Sequence, residues 1–237
     1  MKTLLFFSCL LSVNLSFAQL STVKSKTAYN FWINLPKDSI LNAKPPILIF
    51  LHGKSLSGTD LNRVRKYGVI KEIEKGRTID AIVVAPQVAS GSWSPDKVLE
   101  VLEYVQKNYN TDSSRIYVCG MSLGGYGTLN FAGKYAGKIT AAVALCGGGN
   151  VKDAQNLSTI PLWIQHGDAD KPVPISQSIK VVDAINCVNS GKNMIWTIHK
   201  GAGHSELERV FRSDAMYDWL FAQKRINAEE VEMVKAE

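Results

Sequence analysis

The chain has 237 residues, enough for one sizeable domain with a full core. Its 27 Lys and Arg against 21 Asp and Glu leave a net charge of +6. The charges are interspersed and no nucleic-acid motif accompanies them, so the excess bears on solubility and on attraction to anions. There is no internal repeat, low-complexity tract or long polar linker, and a single domain over residues 19–237 is expected.

Residues 1–18 stand apart. Lys2 gives a positive start, an apolar run follows, and Ser16-Phe17-Ala18 offers small residues at the positions a signal peptidase reads. A secretory signal peptide is expected, with the mature chain starting at Gln19 and carrying a charge of about +5. The run is too short to span a bilayer, and its continuation past Cys9 argues against a lipidated cysteine. No stable membrane insertion is expected. Cys119, Cys146 and Cys187 remain, too few for a disulfide framework, and no Cys/His spacing matches a zinc site.

Residues 29–35 read as a strand stopped by Pro36, and 47–51 as a wholly apolar strand buried on both faces. The latter runs into His52-Gly53-Lys54. Residues 60–75 fit one or two short helices, with Asp60 as N-cap and Gly76 as stop. The basic cluster Arg63, Arg65, Lys66 and Lys71 reads as a solvated helix face. Residues 81–85 form the next buried strand. Ser94-Pro95-Asp96 then starts a helix with its apolar stripe at Val98, Leu99, Val101, Leu102 and Val105.

Residues 116–119 form a short apolar strand leading into Gly120-Met121-Ser122-Leu123-Gly124, the spacing G-x-S-x-G, with a helix expected over 124–135. Strand, sharp turn and helix are the setting in which this motif exposes a serine hydroxyl at a strand end. Further strands are expected at 139–146, 161–165 and 194–199, and helices at 175–186 and 207–221. Strands alternating with helices mean an α/β domain with a mainly parallel sheet.

Ligands bind off the carboxyl ends of such strands. The loop after His52, then Ser122, Asp170 and His204 all fall there. A serine needs an imidazole base oriented by a carboxylate. His52 and His166, each before a glycine, read as structural turn residues, and His199 as packed within its strand. His204, in a glycine-rich loop, is the expected base. Asp168 and Asp170 both follow one strand. The run H-G-D-A-D-K-P-V-P favours Asp170 as the acid, with Asp168 holding the turn. The main-chain N–H groups of Leu123 and Lys54 are the expected oxyanion donors, with Ser55 as the fallback. Gln87, Trp93 and Tyr126 are candidate cleft-wall or substrate-binding residues, though packing or loop anchoring would place them equally well.

The motifs at 51–53, 120–124, 166–174 and 203–204 resemble those of the α/β-hydrolase superfamily. Residues 112–127 and 85–93 are similar to secreted esterases and peptidases related to phospholipase/carboxylesterases, dienelactone hydrolases and polyhydroxybutyrate depolymerases. The resemblance implies a single-domain α/β-hydrolase fold and acyl transfer to water through an acyl-serine, with no metal or organic cofactor. Lys54 departs from the small or apolar residue frequent there. The expected activity is hydrolysis of carboxylic esters, small or polysaccharide-linked. A prolyl-oligopeptidase-type peptidase and a non-catalytic binding protein on the same fold are the alternatives.

Overall fold

The central strands are fixed by short runs of β-branched and aliphatic residues that leave no polar face. Ile47–Leu51, Ile82–Pro86, Ile116–Met121 and Ala141–Leu145 are buried at every position, as strands covered on both faces must be. In the computed structural model, which describes residues 19–189 and 191–225, eight strands form one sheet. They are β1 (Gln19–Val23), β2 (Phe31–Leu35), β3 (Ile47–Leu51), β4 (Ile82–Pro86), β5 (Ile116–Met121), β6 (Ala141–Leu145), β7 (Leu162–Gly167) and β8 (Met194–His199). Their order is β1-β2-β4-β3-β5-β6-β7-β8. Strands β3 to β8 run parallel, while β1 and β2 pair antiparallel at one edge. The signal peptide expected over residues 1–18 lies outside the described residues.

The helices are α1 (Asp38–Leu41), α2 (Val69–Glu74), α3 (Pro95–Asn108), α4 (Leu123–Lys134), α5 (Ala154–Leu157), α6 (Ser176–Asn189) and α7 (Asp214–Phe221). Alternate residues of each central strand feed two separate cores. Ile47, Ile49, Val118 and Ala144 pack under α3, α4 and α6, while Leu48, Phe50, Cys119 and Val143 pack under α2 and α7. Helix α3 starts as its sequence demands: the Ser94 hydroxyl accepts from Lys97 N, Pro95 occupies the first turn, and Val98, Val101, Leu102 and Val105 are buried. Among the described residues no helix is long and apolar enough to cross a membrane.

The one-turn helices α1 and α5 fall where the sequence reading places no helix, and two larger elements also depart from it. Strand β1 is short and carries Ser21 and Thr22, so its apolar signal is weak; it is held by pairing with β2. The helix expected at 207–221 is in fact two pieces. A tight three-residue-per-turn helix covers His204–Arg212, Ser213 is extended at φ −81° and ψ 128°, and α7 follows. The break lets the first piece turn Leu207 and Phe211 into the core. Phe211 meets Phe50 of β3 edge-on with centroids 5.3 Å apart. Truncating so buried a ring costs about 3–5 kcal/mol, so this contact pins the segment that begins with His204.

Candidate active site

All the candidate groups lie at the carboxyl edge of the parallel strands. Ser122 follows β5 directly and adopts φ 61°, ψ −122°, a conformation costly for a residue with a side chain and typical of functional turns. The turn closes only because of its glycines. A Cβ on Gly124 would sit 1.8 Å from the Leu51 carbonyl oxygen, and one on Gly120 would sit 2.4 Å from the Gly124 carbonyl oxygen. Helix α4 can therefore start hard against β3, with Ser122 at its mouth. Among the described residues the Ser122 hydroxyl takes no hydrogen-bond partner.

His204 opens the tight helix after β8. Its Nδ1 donates to Asp170 Oδ2 at 2.6 Å. The Asp170 side chain is fully buried, and its Oδ1 accepts from Val173 N at 2.8 Å. Asp168 is exposed and does something else: its Oδ1 accepts from Gly201 N at 2.6 Å, holding the loop that leads to His204. Of the two acids, Asp170 is the one that meets the imidazole.

His166, read from sequence as a turn residue, also reaches the acid. Its Nε2 lies 2.9 Å from the Val173 carbonyl and 3.3 Å from Asp170 Oδ2. Both are acceptors, so this nitrogen carries the proton. Its Nδ1 is 2.7 Å from the Ser178 hydroxyl, which also lies 2.6 Å from the Gly147 carbonyl. Burial lowers the His166 pKa, against the opposing pull of the Val173 carbonyl and the Asp170 charge. Cys146 was unanticipated here. It sits directly after β6 at φ 48°, with its sulfur in a group with Asp170 and His204 whose donor atoms lie within 4.8 Å of one another. Burial, then the Asp170 charge, push its thiol pKa up. This is the set of described residues that could share a cation. Two of its members are already hydrogen-bonded to each other, and the thiol is held in its protonated, non-ligating form.

His52 has a structural task. Its Nε2 accepts from Val88 N at 3.2 Å, so Nδ1 carries the proton and donates to the Gly53 carbonyl at 2.8 Å. Burial pulls its pKa down to about 4. Trp93 packs on this ring at 4.8 Å and donates from Nε1 to the His52 carbonyl. The loop that follows is thus fixed to the segment after β4 before it reaches Lys54. Lys54 N, Ser55 N and Leu123 N have no hydrogen-bond partners among the described residues, as expected at the first turns of helices.

Ser122 and His204 line one cavity of about 410 Å³. Lys54 and Ser55 from the loop after β3, Tyr67, Met121, Pro172, Val173, Ser205 and Glu208 complete its lining. The proposed wall residues fall elsewhere. Gln87 is buried and donates to the Leu56 and Asp60 carbonyls, so it anchors a loop. Trp93 and Tyr126 line a neighbouring recess of about 240 Å³ with Leu123. Pro172 and Val173 belong to the H-G-D-A-D-K-P-V-P run, whereas Tyr67 comes from a distant turn with no local signal.

The dienelactone hydrolase family matches residues 79–230. A bifunctional acetylxylan esterase/xylanase from Neocallimastix patriciarum is 28% identical over 147 residues, 58% of this chain and 21% of that protein. The chain therefore spans about a fifth of the curated relative it matches. A thermostable esterase superposes with TM-score 0.74 at 27% identity, over 88% of this chain and 63% of that one. The feruloyl esterase module of Clostridium thermocellum shares the fold, with TM-score 0.65 at 15% identity over 89% and 90% of the two chains.

Proposed function

The chain belongs to the dienelactone hydrolase family, and we propose that it is a serine-dependent carboxylic-ester hydrolase using Ser122, His204 and Asp170. The observation that carries this is the 2.6 Å His204–Asp170 hydrogen bond on the wall of the cavity that also holds Ser122 at its sharp turn. His204 Nε2 takes the Ser122 proton as the serine oxygen attacks the ester carbonyl. Leu123 N–H and Lys54 N–H donate to the oxyanion. The imidazolium returns its proton to the leaving alcohol, and water repeats the sequence to free the acid. Asp170 fixes the tautomer with the proton on Nδ1 and offsets the imidazolium charge.

The substrate is an ester with a small or exposed acyl group, free or linked to a polysaccharide. Supporting this are the modest size of the cavity and the relative described as an acetylxylan esterase/xylanase. The leader-like residues 1–18 support an exported enzyme that begins at Gln19. The test is hydrolysis of acetyl, butyryl, longer-acyl and feruloyl esters, with peptide amides alongside and Ser122→Ala as control. Ser122-dependent turnover of short or aryl esters is expected. Amide cleavage with no ester preference, or turnover unchanged in the variant, would overturn the reading.

A further inference from the structure

Tyr67 ends the short helix Leu61–Lys66 and precedes Gly68, whose φ of 78° and contact with Phe50 allow no side chain. The turn swings the phenol back to the β3 loop. There its oxygen accepts from Gly53 N at 2.9 Å. The next polar neighbour, the Ser55 hydroxyl, is at 3.5 Å, the outer limit of a hydrogen bond. The phenol proton therefore has no close acceptor among the described residues, although the ring is half-buried and the group lines the cavity. A Cβ on Gly53 would lie 2.5 Å from the Tyr67 oxygen and 3.3 Å from Ser122 Cβ. The phenol and the serine thus flank the same backbone atom, one residue before Lys54, whose N–H has no hydrogen-bond partner among the described residues.

From this we infer that Tyr67 is a catalytic residue, a third donor whose O–H points to the substrate carbonyl oxygen as negative charge develops on it. The inference rests on the Ser122 hydrolase reading. No bond to Tyr67 forms or breaks: it keeps its proton and donates a hydrogen bond. Accepting from Gly53 N–H polarises the phenol toward donation. Three charged or titratable groups face it. Glu208 comes from the His204–Arg212 helix, where Lys71 at 3.3 Å and Arg212 at 3.8 Å hold its carboxylate. His204 and Lys54 share the cavity. Burial keeps the phenol protonated at neutral pH, its pKa raised above the ordinary value. Such a donor is worth more in a partly dry cavity than in water, because it is already oriented when the charge appears.

Two variants test this on the full chain with a chromogenic short-chain ester. Tyr67→Phe removes donor and acceptor together and should lower kcat by about 10- to 100-fold with KM little changed. Replacing Tyr67 with 3,5-difluorotyrosine keeps the oxygen as an acceptor for Gly53 N–H in both ionisation states but makes the phenol more acidic. The alkaline limb of its kcat/KM profile should then move down toward neutral pH. Retention of kcat within threefold in Tyr67→Phe overturns the inference. So does a loss in Tyr67→Phe with an unmoved alkaline limb in the fluorinated protein, since that outcome leaves Tyr67 only the task of holding Gly53. Failure of the underlying hydrolase reading is separately visible, as unmodified protein whose turnover survives Ser122→Ala.

Discussion

Asp170→Asn probes the proposed chemistry with the smallest change of shape. The buried carboxylate accepts from Val173 N at 2.8 Å and His204 Nδ1 at 2.6 Å. An asparagine can keep the first contact through its carbonyl oxygen. It must then turn its amide NH₂ toward His204 Nδ1, which can only meet it by losing its proton. The imidazole proton moves to Nε2, the nitrogen that should receive the Ser122 proton. A triad with the wrong tautomer loses about 10⁴ in kcat, or about 5 kcal/mol of transition-state stabilisation. The fold should survive, because the volume and the Val173 contact are retained. Asp168→Asn is the matched control. Its side chain can still accept from Gly201 N, and activity should stay within about threefold. The assay is kcat and KM on a chromogenic short-chain ester, with thermal unfolding of each variant measured alongside. If Asp170→Asn keeps more than a tenth of the activity, or Asp168→Asn loses as much, the assigned acid is wrong.

Three further outcomes follow from the geometry. Gly124→Ala forces a methyl to within 1.8 Å of the Leu51 carbonyl and should cost more than about 4 kcal/mol, seen as insoluble or unfolded protein; Gly76→Ala, with open space but φ of 100°, should cost only about 1 kcal/mol. His52 has a pKa of about 4 in the fold against about 6.5 unfolded, so the unfolded chain binds the extra proton between these values. Its contribution is complete above pH 6.5 and falls as pH drops toward 4, by about 2 kcal/mol between pH 7 and 5. His166 and His199 are also lowered and add to the same acid loss, so His52→Asn should flatten the dependence of urea midpoint on pH without abolishing it. Gln87→Ala leaves the Leu56 and Asp60 carbonyls without their donor and should destabilise by about 1–3 kcal/mol. KM should not change; a raised KM with unchanged stability would make Gln87 a substrate contact after all.

The fold was legible because its information is local. Ile47–Leu51 and Met194–His199 are runs with no competing period, and Ser94-Pro95-Asp96 announces a helix start in three residues. The break at Ser213 was not legible, since the apolar residues on either side of it also fit one continuous helix. What splits them is the fit of Phe211 against Phe50, a contact across the fold. His199 was expected to pack within its strand; β8 is an edge strand, and the ring is half-exposed with Nε2 against Gln165 Oε1. At the site, the elbow and the loops after β7 and β8 follow from motif and chain order. The partners that hold them do not. Cys146 reaches Asp170 only once β6 and β7 lie side by side, His166 reaches it through the fold of the turn four residues on, and Tyr67 reaches Gly53 across fourteen residues through the turn at Gly68.

The most direct test of the central proposal is covalent labelling with a fluorophosphonate, followed by peptide mapping of the modified residue. An activated serine is predicted to react, with one label per chain on the peptide carrying Ser122. Labelling should be lost in Ser122→Ala and strongly slowed in His204→Ala. Absence of labelling on folded protein, or labelling of Ser122 at the same rate without His204, would contradict a serine nucleophile activated by that histidine.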